Sequence, residues 1–95
     1  MVLGHSQCGA VTAAVSGGEP EGHISSLTAA IRPALDRTQD QNGDRVDDTA
    51  RENAKLVAET LKLSTPALTD RVNRGKLLIV AAFYNLDTGL VDILE

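Results

Sequence analysis

Residues 77–84 read Leu-Leu-Ile-Val-Ala-Ala-Phe-Tyr, an apolar run with no polar alternation. A strand of this kind leaves no face for water, so it must be covered on both sides, as strands of parallel sheets are when helices flank them. The run is less than half of a membrane span, so it belongs inside a folded domain. Turn chemistry comes next, Asn85-Leu-Asp-Thr-Gly, and then Leu90-Val-Asp-Ile-Leu, which alternates around Asp92. That pattern predicts an antiparallel edge strand hairpinned onto the first. Met1 to Leu3 is a short apolar stub that stops at Gly4, and helix formers begin after Gly9. The reading there is strand, tight loop, helix, with a strand shorter than the usual five or six residues. The expected fold is therefore α/β: a small, mainly parallel sheet from Met1–Leu3 and Leu77–Tyr84, an edge strand at Leu90–Leu94, and flanking helices. Residues 1–95 form a single domain on this reading.

The helices are read from spacing and caps. Ile24, Leu27, Ile31 and Leu35 recur on one helical face, with Pro33 expected to kink or divide the helix. Arg37 to Asp48 is a polar connection whose aspartates Asp40, Asp44, Asp47 and Asp48 lack the bidentate glutamate of a calcium loop. Thr49 and Glu52 have the spacing of a capping box, which predicts a helix over Thr49–Leu63 with Ala50, Ala54, Val57 and Leu61 inward. Thr65-Pro66 and Gly75 bracket a second short helix. Gly17-Gly18 lacks the downstream Lys-Ser/Thr of a phosphate loop and reads as a plain turn.

Composition removes several function classes. Aromatic residues make up 2% of the chain and the net charge is -4, so neither base-stacking platforms nor a basic stripe is available for nucleic acid. No basic leader with a long apolar stretch is present and no apolar run reaches membrane length, which gives a cytoplasmic, non-membrane reading. One cysteine, Cys8, makes no internal disulfide and fits a reducing compartment.

His5 and Cys8 stand between Gly4 and Gly9, at the strand-to-helix junction. A tight loop can aim an imidazole and a thiol at one point, a good donor pair for zinc, and a helix N-terminus favours thiolate. Two donors are half of a site, and the spacing alone fits equally a buried thiol beside a hydrogen-bonded histidine. His23 reads as a solvated or capping residue, Tyr84 as strand-end packing, and Glu52 as a helix cap.

Three separated blocks, in order, resemble the β-class carbonic anhydrases: Val2-Leu-Gly-His-Ser-Gln-Cys-Gly-Ala-Val, Glu52-Asn53, and Ala82-Phe-Tyr-Asn-Leu-Asp-Thr-Gly-Leu-Val. The resemblance covers nearly the whole chain and the carboxyl-terminal half of a usual family member. It implies that His5 and Cys8 are zinc ligands in an enzyme, a carbonate dehydratase of the lyase class, that interconverts carbon dioxide and bicarbonate. In that family a third ligand comes from an upstream Cys-x-Asp-Ser-Arg motif, whose Asp and Arg order the metal's open position. This sequence has no such motif, so the resemblance implies an incomplete Zn²⁺ site, no assigned catalytic residue, and a chain inactive or weak alone. It also implies a homo-oligomer. The alternative is a non-catalytic truncated remnant that serves as an oligomerisation or regulatory domain.

Overall fold

The computed structural model describes residues 1–17, 22–39 and 44–94. Strand β1 (Val2–His5) pairs in parallel with β2 (Ala81–Tyr84), which pairs antiparallel with β3 (Val91–Ile93), giving the order β1-β2-β3. Between β1 and β2 run four helices: α1 (Gly9–Ser16), α2 (Ile24–Arg37), α3 (Arg45–Leu63) and α4 (Pro66–Asn73). The expected α/β architecture and the C-terminal hairpin are present. Asp40 and Gly18 lie outside the described residues.

α3 lies directly against β1 and β2, and small residues make that approach possible. Ala54 and Ala58 meet Ala81, while Ala50 joins Val11, Ile31 and Phe83 in a neighbouring cluster. Gly4 completes the fit: a Cβ there would stand 3.1 Å from the Ala50 carbonyl oxygen. Gly4 and Val2 thus face α3, and the strand's alternation turns Leu3 and His5 to the opposite face. On that face Leu3, Ala82 and Ile93 form one row across the sheet. Leu3 is 53% exposed and Ile93 58%.

Several elements differ from the sequence reading. β1 runs through Gly4 to His5, because Gly4 is held by close packing and does not break the strand. α3 begins at Arg45, not Thr49, since the Asp44 carboxylate accepts from the amides of Val46 and Asp47 at 3.0 and 3.2 Å. Thr49 is consequently an interior residue, fully buried, its hydroxyl 3.0 Å from that of Thr38. Glu52 caps nothing; it pairs with Arg37 at 3.3 Å. α2 continues through Pro33, whose missing amide frees a carbonyl at Ala29, where both residues are exposed and water can serve it. Of its expected stripe Ile31 is buried, whereas Ile24 and Leu27 are exposed. The apolar run is a strand over Ala81–Tyr84 alone, with Leu78 exposed, because β1 offers only Val2 to His5 as partners.

Candidate metal centre

His5 ends β1 and Cys8 is the residue before α1, so a Ser6-Gln7 bend separates them. The bend needs a left-handed residue, and Gln7 takes that role with φ of 55°. Two bonds hold the bend to the C-terminal hairpin. The Ser6 amide donates to the Tyr84 carbonyl at 2.9 Å, and the buried Ser6 hydroxyl accepts from the Leu86 amide at 2.8 Å. The hairpin itself is fixed by Asn85, whose side-chain oxygen accepts from the amides of Asp87 and Thr88. The expected loop is therefore a braced one.

His5 and Cys8 line one cleft of about 240 Å³ with Val2, Leu3, Gly4, Val11, Ala50, Asn53, Ala54 and Val57. All of β1 lines it and no residue of β2 does, so the cleft lies along the strand's unpaired edge. The His5 Nδ1 lies 2.8 Å from the Ser6 carbonyl oxygen. A carbonyl only accepts, so Nδ1 carries the hydrogen and Nε2 is left with a free lone pair. This is how metal-binding imidazoles are commonly oriented. Cys8 is half-buried, and its side chain makes no capping bond to α1. The donor chemistry suits zinc, but the number of donors does not close a shell. Among the described residues no group of three or more His, Cys, Asp or Glu could hold a metal ion. His23 is exposed at the start of α2 and stands apart from the cleft. Tyr84 is half-buried beside His5 and Val91 in the sheet register.

A second cavity, of about 300 Å³, opens at the carboxyl ends of β1 and β2, between Ser6, Gln7, Asp44, Asp47 and Asp87. The sequence reading treated the aspartates as a solvated linker. Asp47 is half-buried, and its carboxyl is raised above the ordinary 3.8 by burial first and then by Asp44, with Arg51 opposing and Asp48 and Asp87 adding. Asp87 reaches this group only through the fold, so no local pattern could have joined it to Asp47. Asn53, in contrast, was legible: it reaches the cleft wall while Glu52 turns away to Arg37.

The carbonic anhydrase family profile matches residues 1–91. The chain belongs to the β-carbonic anhydrase family. Carbonic anhydrase 2 of Mycobacterium tuberculosis is 30% identical over 93 residues, 94% of this chain and 45% of that protein. A carbonic anhydrase of Mycolicibacterium smegmatis is 27% identical over 97 residues, covering 98% of this chain and 47% of its own length. This β-carbonic anhydrase chain thus spans about half the length of the curated relatives it matches. Two solved structures share its fold. One is from a study of two tetrameric β-carbonic anhydrases of Sordaria macrospora, with a TM-score of 0.80 at 22% identity over 97% of this chain and 49% of the other. The other is the β-carbonic anhydrase CcaA, with a TM-score of 0.78 at 24% identity over 99% of this chain and 49% of the other. No helix among the described residues is long and apolar enough to cross a membrane.

Proposed function

We propose that this chain carries two zinc ligands of a β-carbonic-anhydrase site, His5 Nε2 and Cys8 Sγ, and that its 95 residues alone hydrate carbon dioxide negligibly. The observation that carries the reading is the shared cleft, with Nδ1 of His5 engaged by Ser6 and the thiol uncommitted. When bound, zinc acidifies a coordinated water and so provides hydroxide at neutral pH, as is general for carbonic anhydrases. The chain's own contribution is positional. Ser6 fixes the imidazole, the Gln7 bend sets the thiol beside it, and Val11, Ala50, Ala54 and Val57 exclude water from that side. The scarcity of further donors favours a second reading, a non-catalytic domain that associates or regulates. In both readings the chain is cytoplasmic and homo-oligomeric, with carbon dioxide and bicarbonate as reactants only where the donor set is completed.

Stopped-flow measurement of carbon dioxide hydration, with and without added zinc, tests this. The expected rate is that of buffer. Zinc-dependent turnover that vanishes in His5→Ala would show that the chain is a complete enzyme.

A further inference from the structure

We infer that one zinc ion joins two copies of this chain, each giving His5 and Cys8 to a closed Cys₂His₂ site over a two-fold axis. The inference rests on the reading of those residues as zinc ligands. Structural zinc takes four donors. Each chain offers two, and the described residues hold no group of three or more His, Cys, Asp or Glu fit for a metal. An isologous contact repeats on one copy whatever the other presents, so the cleft meeting itself supplies the remaining donors with no new residue type.

The surroundings of the donors suit a second copy. Every residue lining the cleft is uncharged, and Leu3 and Val57, on opposite walls, are 53% and 40% exposed. Such a surface meets its own image without repulsion. β1 is an unpaired sheet edge that carries no charge, proline or bulge, the devices that ordinarily keep edges apart. The other edge differs, since β3 has Asp92 at its centre. Charge also closes at the metal. Two thiolates against one Zn²⁺ give a neutral centre, which an apolar seam tolerates, whereas a single thiolate leaves a net positive charge there. Each thiol gives up its proton on coordination, so two protons leave for each zinc bound.

Area decides that the metal is required. Four strand residues span about 13 Å, and layers of secondary structure pack about 10 Å apart, so the cleft presents a patch on the order of 130 Å². A standard interface needs about 800 Å² from each partner. Apolar contact through this patch is far too small to hold the pair. The same closed donor set leaves no position for water, which accords with a chain that does not turn over.

Native mass spectrometry and sedimentation velocity on the full chain test the bridge. In EDTA the expected species is one chain; with half an equivalent of zinc sulfate it is two chains carrying one zinc. Cys8→Ser is expected to stay a single chain in both conditions. Leu3→Glu keeps both donors but sets like charges across the seam, and should weaken the zinc-dependent pair about tenfold or more. Zinc bound one-to-one by a single chain, and lost in Cys8→Ser, keeps the ligands and overturns the bridge. Zinc uptake unchanged in both Cys8→Ser and His5→Ala overturns the ligand reading and the bridge together. A pair that forms in EDTA overturns the metal dependence.

Discussion

Asp47 shows how a residue's neighbours decide what its charge is worth. It lies in the first turn of α3, where a carboxylate ordinarily gains from the helix N-terminus, yet burial and Asp44 raise its titration. A raised carboxyl favours the protonated form in the folded chain, so the stability it contributes is full at low pH. That contribution is lost as pH rises through the raised folded value. Asp47→Asn is therefore expected to increase the urea midpoint at pH 7, with the gap narrowing as pH falls to about 4 and the wild type takes up its proton. A gap independent of pH would assign the effect to something other than this carboxylate. The paired hydroxyls of Thr38 and Thr49 show the reverse situation. Both are fully buried, but Thr38 also reaches the carbonyls of Ala34 and Leu35, so burial there leaves no orphan.

Among the elements, α2 holds the clearest unrelieved cost. Pro33 sits inside a continuous helix, on its exposed side. Pro33→Ala restores the amide and should raise stability by about 1–3 kcal/mol, read from chemical denaturation. No gain would mean that the ring relieves a strain elsewhere in α2. The sequence signalled the elements whose cues are local. Thr65-Pro66 began α4 where read, its side chain accepting from the Leu68 amide at 3.1 Å, and Asn85 to Gly89 made the hairpin turn. α3 was misplaced because two caps competed. Thr49 has the spacing of a capping box, but Asp44 is earlier and its carboxylate takes the first amides. The metal-centre residues were legible from spacing plus resemblance, whereas the acidic cavity was not, because β2 and β3 bring Asp87 to Asp47 from far along the chain. Arg51 is a similar case. It stacks on Phe83 at 4.1 Å and reaches Asp92 at 3.6 Å, joining α3 to the hairpin through a contact that periodicity does not mark.

At the scale of the molecule, the chain is open for its size. It exposes 6264 Å², where a protein of this mass ordinarily exposes about 5,200 Å². Its radius of gyration is 14.3 Å, against about 12.4 Å for a compact chain of this length. The fully buried side chains are few and small, with Phe83 the largest. A free chain should therefore unfold over a broad temperature range in EDTA and bind an apolar dye, and zinc should raise and sharpen the transition. Scanning calorimetry checks this, and a sharp transition from a single chain in EDTA would contradict it. The bond from the Leu86 amide to the Ser6 hydroxyl carries a further consequence, for the order of events during synthesis. Its partners are 80 residues apart. At about 5–20 residues per second, a ribosome takes roughly 4–16 s to cover that interval. Throughout it, α2 and α3 can form from near neighbours, but the bend beside Cys8 has nothing to brace it. The thiol emerges early and its pocket is finished late, so the nascent chain meets oxidants and stray metal ions before it owns the cleft that would select among them.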